Sequence, residues 1–377
     1  MKLKRRCFLM TSTLGIVTLS PQHEEVFTRQ LAKAASSFDL EVVRFTPLDL
    51  KPASNLIQGQ KYTNDKGFAA AEFQIPDLIY DRCLYQHGAQ SKKAKPIMEW
   101  LKKYPKTAFL NTGIPNKMVL FERLRLLPSL QPYLPVCSLL KEPSDLLNMV
   151  RKGGYCKMQP LSQQHASSTY FISLNDKTTF TVQLSPMQVI TFSRPSEVER
   201  WCKKFVGRYF LQFFNTNDQK DFLFNEIRIF LMKDSQNQWN SMGIHTKSPL
   251  ENSLLSNAQN SNHVVGFDHY LHSLQPHIKE LLLDDIASIQ SSLPAYVDKT
   301  YSPCFEFAVE LLHTSEGRLF ISNIRSKPGR SAFLKAYPEK ENQLIRFILE
   351  HAQSMMSQPK EASYVQKSLH HRPSSNK

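Results

Sequence analysis

Three cationic side chains, Arg325, Lys327 and Arg330, follow one another closely at the end of an apolar stretch. The stretch from 319 to 324 is typical of a buried β-strand, and Gly317 just before it supplies a turn, so we predict the second arm of a β-hairpin. Guanidinium and ammonium groups pair with phosphate and carboxylate oxygens. The end of this hairpin is therefore a candidate anion-binding position.

Charged residues also alternate with apolar ones in two other predicted strands. Glu226 and Arg228 are two residues apart and Glu306 and Glu310 are four apart, so each pair lies on one face of its strand. The second pair leaves open a site acid with a hydrogen-bonded carboxyl neighbour. Lys157 lies inside a further short strand, where a buried lysine needs an acidic or phosphate partner. The alternative is an ammonium group that reaches solvent.

Asp81 and Arg82 end a buried strand in the first third of the chain. Ligands of open α/β sheets bind beyond the carboxyl ends of the strands, which makes this pair a second candidate position. The alternative is an ion pair that closes the sheet edge. The histidines show no convincing ligand spacing: His245, His263, His269 and His272 lie in or beside a polar loop, and we predict that they face solvent.

The composition limits the classes of function. The chain of 377 residues contains only 12 glycines, about 3%, which disfavours a function that needs a glycine-rich phosphate loop. The net charge is +14, but about half of the excess lies at the two ends, and no stripe of interleaved aromatic and basic residues accompanies it. We therefore do not expect nucleic acid as a partner.

Cysteine usage and hydropathy indicate the compartment. The six cysteines lie far apart without a Cys-x-x-Cys pair, which favours separate reduced thiols in a cytoplasmic protein. Residues 14–19 are predicted as a first strand, with a secretory signal as the alternative, because polar residues interrupt the apolar run near the N-terminus. The rest of the chain has no apolar run long enough for a membrane span.

The elements that position these residues follow from the hydrophobic pattern. A first strand, a helix at 24–37 and a strand at 40–45 form a βαβ unit, which indicates a parallel sheet. Residues 46–72 have the character of an irregular polar segment. A strand at 75–82 and a helix and strand within 92–112 complete this unit.

Further strands and helices follow in the remainder of the chain. Asn116 is the predicted N-cap of the first of these helices. We predict strands at 155–160, 209–214, 224–232, 305–312 and 319–324, and helices at 116–127, 144–151, 196–205, 269–293 and 342–355.

Several short segments, in order along nearly the whole chain, together resemble the YheC/YheD family of endospore coat-associated proteins, which have an ATP-grasp fold. These segments are Pro76-Asp-Leu-Ile-Tyr-Asp-Arg82, Asn116-Lys117, Leu130-Gln-Pro-Tyr-Leu-Pro135, Lys157-x-x-Pro160, Glu226-Ile-Arg228, Met242-Gly243, Glu306-x-x-x-Glu310 and Ser326-Lys-Pro-Gly-Arg330.

The resemblance implies an N-terminal α/β domain followed by an ATP-grasp-like pair of α+β subdomains that hold a nucleotide between them. The implied boundaries are 1–112 for the N-terminal domain, 113–207 and 208–357 for the first and second subdomains, and 358–377 for a basic, disordered tail. It also implies spore-coat proteins as partners and a cytoplasmic or spore coat-associated location.

The implied nucleotide is ATP. In that layout Lys117 and Lys157 approach its phosphates and adenine, Gln212 and Phe213 lie at the hinge beside the adenine, and Lys327 is a further nucleotide contact. For an active site of this kind, the predicted catalytic residues are Arg228 and Arg325.

Two features depart from the family pattern. The family's glycine-rich loop is replaced by Leu161 to Thr169, which has no glycine, so its backbone is less able to approach phosphates closely. The family's metal ligands correspond here to Glu310, Asn323 and Arg325. A cation about 4 Å from Mg²⁺ is repelled by roughly 8 kcal/mol at an effective dielectric near 20, so the sequence argues against Mg²⁺.

Three functions follow from these observations. In the first, the site is degenerate and this divergent member is a pseudoenzyme that acts as a scaffold or binding module in sporulation. In the second, Arg325 and Lys327 replace the charge of the metal and bind a nucleotide or another anionic ligand directly. In the third, the chain is an ATP-dependent ligase that joins a carboxylate to an amine.

Overall fold

The computed structural model describes residues 12–85, 88–152, 155–161, 169–175, 178–185, 188–215, 225–247, 264–301 and 303–357. These residues form three β-sheets with flanking helices, which we call the N-terminal, middle and C-terminal sheets. The fold class is the predicted combination of an α/β unit and α+β units. The predicted polar loop at 247–263 apart from its first residue, most of the glycine-free loop, and the tail at 358–377 lie outside the described residues.

The N-terminal unit consists of a seven-stranded sheet and two helices. Its elements are β1 Ser12–Val17, α1 Glu25–Ala35, β2 Leu40–Phe45, β3 Leu50–Lys51, β4 Leu56–Thr63, β5 Gly67–Gln74, β6 Leu78–Asp81, α2 Ala89–Lys103 and β7 Ala108–Phe109. Strands β2, β1, β6 and β7 pair in parallel in this order, as the βαβ pattern predicts. The sequence prediction for residues 46–72 is wrong, because β4 and β5 form an antiparallel hairpin beside β2. This hairpin is partly exposed and rich in small and polar residues, so it lacks the apolar run of a buried strand.

The middle sheet consists of six antiparallel strands in the order β12-β11-β10-β9-β13-β8. Its elements are α3 Lys117–Leu124, β8 Val136–Leu139, α4 Pro143–Val150, β9 Tyr155–Pro160, β10 Tyr170–Asn175, β11 Thr179–Ser185, β12 Gln188–Phe192, α5 Pro195–Cys202 and β13 Tyr209–Phe214. The Asn116 side chain accepts a hydrogen bond from the Val119 N–H, which confirms it as an N-cap. Helices α4 and α5 cover one face of the sheet with an apolar core.

The C-terminal sheet consists of five antiparallel strands in the order β16-β15-β14-β17-β18. Its elements are β14 Asn225–Lys233, β15 Trp239–Lys247, β16 Val264–Gly266, α6 Phe267–His272, α7 Pro276–Tyr301, β17 Glu306–His313, β18 Leu319–Arg325, α8 Ser331–Ala336 and α9 Glu341–Ser357. The predicted hairpin of β17 and β18 is confirmed. Strand β15 was not predicted, because Met242, His245 and Thr246 occupy its buried positions instead of an apolar run.

The two faces of the C-terminal sheet have different environments. One face packs against α3 and α7 in a large apolar core. On the other face, Phe230 and Met232 pack with α8, α9 and the N-terminal unit. Closer to the start of β14, the same face carries the charged side chains of Glu226 and Arg228, because every second residue of a strand points to one side. This charged part lies beside the middle sheet and forms the candidate site.

Strand β13 pairs with β8 and β9 and so belongs to the middle sheet, although it lies after residue 207. The division of the chain into domains remains a prediction. Within the described ranges, none of the helices combines the length and the apolar character required to cross a membrane.

Candidate functional site

Charged and polar side chains form two largely buried clusters. The first, which we call the cleft, lies between the middle and C-terminal sheets and contains Lys117, Lys157, Gln159, Gln212, Glu226, Arg228, His245, Lys247, Glu310, Asn323 and Arg325. The second, which we call the ionic clasp, joins the N-terminal sheet to the C-terminal sheet and contains Glu24, Tyr80, Asp81, Arg82, Glu306, Lys327 and Arg330.

Glu310 on β17 is bonded on both carboxylate oxygens in the cleft. Its Oε1 accepts hydrogen bonds from Arg228 Nη2 at 2.7 Å and from Arg325 Nε, and its Oε2 accepts one from Asn323 Nδ2 at 2.8 Å. Strands β14 and β18 flank β17 and place Arg228 and Asn323 directly opposite Glu310. Burial favours the neutral acid, but Arg325 and Arg228 hold the pKa of Glu310 well below its ordinary value. Glu310 is therefore charged and saturated by donors from its own chain.

Glu226, the second carboxylate of the cleft, also lies between two cations. Glu226 Oε1 accepts a hydrogen bond from Arg228 Nη2 at 2.9 Å and lies 3.7 Å from Lys247 Nζ. The prediction that Glu226 and Arg228 point to one face is thereby confirmed. Burial raises the pKa of Glu226, but Lys247 and Arg228 outweigh this effect, and the pKa is lowered.

Two lysines reach the cleft from the side of the middle sheet. Lys117 begins α3, and its Nζ donates to Gln159 Oε1 at 2.5 Å, while Gln159 Nε2 donates to Gln212 Oε1 at 2.5 Å. Lys157 lies opposite Gln212 in the register of β9 and β13. Among the described residues, no carboxylate lies within 4.0 Å of the Lys157 ammonium; its Nζ lies 5.8 Å from the Phe171 ring centre.

The charged forms of both lysines are disfavoured in the free protein. Lys117 and Lys157 are 5% and 8% exposed. Burial, followed by repulsion from Lys157 and Arg325, lowers the pKa of Lys117 well below its ordinary value. Burial also lowers the pKa of Lys157, although Glu226 and Glu310 oppose this effect. A negative charge placed near either lysine would favour its ammonium form.

Most of the site residues predicted from the sequence meet in the cleft, but two lie differently. The structure brings together Lys117, Lys157, Gln212, Arg228, Glu310, Asn323 and Arg325. The side chain of Phe213 lies on the opposite face of β13 from Gln212, because successive side chains of a strand alternate. Lys327 lies in the ionic clasp, where its Nζ is 2.7 Å from Asp81 Oδ1 and donates to the Cys83 carbonyl.

His245 is a cleft residue that the sequence analysis placed wrongly in solvent. It is 1% exposed, and neither ring nitrogen has a hydrogen-bond partner among the described residues. It lies opposite Arg228 on β15. Burial, followed by Arg228 and Lys247, lowers its pKa to about 3, so the imidazole is neutral. The two-residue spacing of His245 and Lys247 is typical of side chains on one face of a strand and could have indicated that they lie together. His269 is exposed as predicted, and His263 lies outside the described residues.

The ionic clasp has three carboxylates and three cations in two groups, because Arg82 and Arg330 pair with Glu24 and Glu306, and Lys327 pairs with Asp81. Arg82 donates to Glu306 Oε1 and to Glu24 Oε1, each at 2.8 Å. Arg330 donates to Glu24 Oε2 at 2.9 Å and to Glu306 Oε2 at 3.1 Å. Tyr80 donates to the same Glu306 carboxylate at 2.7 Å. The bonds of Glu306 are therefore made to the N-terminal unit and Arg330, and Glu310 is not its hydrogen-bonded neighbour.

Asp81 and Arg82 do not close the edge of the N-terminal sheet as a mutual ion pair. Asp81 pairs with Lys327, and Arg82 pairs with Glu24 and Glu306. Both residues are almost completely buried. They connect the N-terminal sheet to the C-terminal one, and each has an ion-pair partner there.

The two antiparallel sheets that enclose a buried charged cleft, preceded by an α/β unit, define a protein of the ATP-grasp class. The chain belongs to the YheC/D-like ATP-grasp family, whose model matches residues 106–355. The endospore coat-associated protein YheC of Bacillus subtilis (strain 168) is 33% identical over 351 residues, which cover 92% of this chain and 96% of that protein.

Solved structures share this fold at low sequence identity. D-alanyl-alanine synthetase A from Vibrio cholerae O1 biovar eltor has a TM-score of 0.51 at 11% identity, over 92% of this chain and 100% of that one. A RiPP-associated ATP-grasp ligase of Chryseobacterium gregarium, in complex with ADP and a leader and core peptide, has a TM-score of 0.51 at 12% identity, over 93% and 98% of the two chains. These similarities show the fold.

Proposed function

We propose that this protein is a YheC/D-like ATP-grasp binding module whose cleft holds the phosphates of a nucleotide, or a ligand of similar charge, with arginine in place of Mg²⁺. The observation that carries the proposal is the charge of the cleft. It has two carboxylates, Glu226 and Glu310, and five cations, which are Lys117, Lys157, Arg228, Lys247 and Arg325.

A buried surplus of three formal positive charges is costly unless an anion balances it. The ionic clasp shows the contrast, because its three cations meet three carboxylates. Of the two clusters, the cleft bears this cost, and Lys117 and Lys157 there have lowered pKa values. Phosphate oxygens are strong acceptors for such donors. This surplus supports binding of a polyanion.

The residues present do not fit the Mg²⁺ that the fold class implies. Magnesium requires hard oxygen ligands and usually one or two carboxylates. The carboxylate of Glu310 is bonded to two guanidinium groups and an amide, and Arg325 lies at a position that a metal ligand occupies in the family pattern. The buried Oδ1 of Asn323 has no hydrogen-bond partner among the described residues, but one neutral oxygen does not compensate for Arg325.

The nucleotide fits the donor set better than the metal does. Lys117 and Lys157 would hold phosphate oxygens from the middle sheet, and Arg325, which is 36% exposed, would do so from the C-terminal sheet. Neutral His245 adds one donor and one acceptor without partners. The nucleotide supplies the negative charge, and the chain supplies its position.

Thermal unfolding of the full chain with ADP or ATP tests this function. In EDTA the midpoint should rise with nucleotide concentration, because a ligand at one hundred times its Kd stabilises by about 2.7 kcal/mol. Added Mg²⁺ should not increase the shift. Arg325→Ala should remove most of it, whereas Arg318→Ala, an exposed arginine at the other end of the same hairpin arm, should retain it.

Two results would contradict the proposal. Absence of any shift with either nucleotide, with and without Mg²⁺, favours the scaffold. A shift that requires Mg²⁺, together with phosphate release when a carboxylate and an amine are supplied, favours the ATP-dependent ligase.

We also infer association with the endospore coat from the name of the Bacillus subtilis relative. A fluorescent fusion expressed in sporulating Bacillus subtilis should concentrate around the forespore. A signal that stays uniformly distributed throughout sporulation would contradict this inference.

A further inference from the structure

Strand β12 is an edge of the middle sheet with an unusual degree of exposure. It pairs with β11 on one side and ends the strand order. The opposite edge, β8, is covered: Arg125 Nη2 donates to the carbonyls of Pro135 and Cys137 at 3.4 and 3.3 Å. No hydrogen bond of this kind from the described residues covers β12.

The composition of β12 favours pairing with a further strand. Its sequence, Gln188 to Phe192, contains two β-branched apolar residues and a threonine, with no proline and no charge. Val189 is 51% exposed and Ile190 is 37% exposed. Edge strands usually carry a charge, a proline or a bulge that prevents association. Within β12 itself no charge or proline does so, and the irregularity in its pairing with β11 lies on the β11 side, between Gln183 and Ser185.

A shallow pocket of about 510 Å³ lies beside β12. It is lined by Thr191, Phe192, Glu197, Arg200, Trp201 and Lys204. The carboxylate of Glu197 accepts hydrogen bonds from the backbone N–H groups of residues 193 and 194, at 3.1 and 3.2 Å. Arg200 and Lys204 have no ion pair with a described carboxylate, and Lys204 Nζ lies 4.9 Å from the centre of the Phe205 ring. The pocket therefore presents two cations without a carboxylate partner beside aromatic rings.

We propose that β12 and this pocket bind an extended acidic peptide segment of a partner protein, which pairs with β12 as an added strand. Backbone hydrogen bonds along β12 provide affinity, and alternate side chains of the peptide provide specificity. Those on the α5 side meet Trp201, Arg200 and Lys204, since Phe192 contacts Trp201 there. Every second residue of the peptide faces α5. Acidic and apolar side chains at these positions fit the cations and the tryptophan there.

Charge decides between the possible occupants. The tail at 358–377 has four cations, Lys360, Lys367, Arg372 and Lys377, against Glu361, so it is repelled by Arg200 and Lys204. A second copy of the chain that pairs through β12 brings the same two cations together from both sides. An acidic segment from another protein is favoured over both. The proposal does not depend on nucleotide binding in the cleft.

The experiment uses the full chain and a phage-displayed library of random linear peptides. Enriched peptides should have both acidic and apolar or aromatic residues among the side chains at every second position, and labelled copies should bind in fluorescence polarisation. Arg200→Glu with Lys204→Glu should weaken this binding at least tenfold. The matched control is Lys203→Glu, a neighbouring cation that does not line the pocket, which should leave the affinity unchanged.

Two proline variants test the added strand. Successive N–H groups of a strand point to opposite sides, so one of Val189→Pro and Ile190→Pro removes a donor to β11 and the other a donor to the peptide. The variant that keeps the wild-type melting temperature should lose peptide binding. The proposal is overturned if no peptide is enriched, if binding survives the charge reversal, or if sedimentation shows a dimer that a β12 proline abolishes.

Discussion

Arg325 donates a hydrogen bond from its Nε to Oε1 of Glu310, so the positive charge of one residue neutralises the negative charge of the other. Arg228 donates to the same oxygen from the opposite side at 2.7 Å. The carboxylate therefore orients two guanidinium groups beside the lysines of the middle sheet. Glu310 acts as an organiser of cations in this chain, and the predictions below follow from that arrangement.

Replacement of Glu310 by glutamine should separate stability from binding. Loss of a buried charge partner should lower the free energy of unfolding by about 3 kcal/mol, near the lower limit for such pairs because Arg325 is 36% exposed. The positive surplus rises by one charge, so ADP affinity in EDTA should increase about thirtyfold, as expected for a unit charge roughly 8 Å away at an effective dielectric near 20. Urea unfolding and calorimetric titration measure the two effects.

Glu306→Gln is the matched control for that variant. It removes a carboxylate from the ionic clasp, so it should reduce stability without changing ADP affinity. A loss of Mg²⁺-dependent nucleotide binding in Glu310→Gln would instead identify Glu310 as a metal ligand.

The affinity for ADP should depend on pH through Lys117 and Lys157. Their pKa values are lowered from 10.5 by burial. Binding requires the charged ammonium groups, so affinity should be constant at lower pH and fall as the pH rises through the lowered values, before ordinary lysines titrate. In this range binding takes up protons, which titrations in buffers of different ionisation enthalpy detect. Lys157→Met should reduce the steepness, and an unchanged pH profile in this variant would contradict the assignment.

Low pH should reduce the free energy of unfolding, because Glu24 becomes protonated. Burial raises its pKa, but Arg82 and Arg330 lower it to about 2 in the folded chain, against an ordinary 4.5. A carboxyl group with a lowered folded pKa contributes stability above its unfolded pKa, and this is lost as the pH falls from about 5 towards 2. The difference corresponds to about 3 kcal/mol. Urea unfolding at several pH values should show this loss, and Glu24→Gln should make the profile flatter; an unchanged slope would oppose the prediction.

Arg82→Met should test whether the ionic clasp is structural. It leaves Glu306 and Glu24 with one guanidinium group fewer in a buried site, so the free energy of unfolding should fall by about 3 to 5 kcal/mol. ADP affinity in EDTA should be unchanged. The exposed pair of Arg29 and Glu25 provides the comparison, because Arg29→Met should cost less than about 1 kcal/mol. A large loss of affinity in Arg82→Met would show that the clasp belongs to the binding site.

The sequence was sufficient where contacts are local or follow a repeating pattern. Two-residue and four-residue spacing placed Glu226 with Arg228 and Glu306 with Glu310 on one face, and Gly317 marked the turn between β17 and β18. The order of short motifs was sufficient for the family. Such features depend on the backbone period, which neighbouring residues alone determine.

The tertiary structure alone decided which charges meet. Arg325 and Lys327 are two residues apart, yet Arg325 ends β18 and joins Glu310, while Lys327 lies beyond the strand and pairs with Asp81 of the N-terminal sheet. The Arg82 and Glu306 pair spans 224 residues. His245 is buried because its strand, β15, pairs between β14 and β16 despite its polar sequence. Partners so distant along the chain depend on how the three sheets pack, and no local pattern of residues specifies that packing.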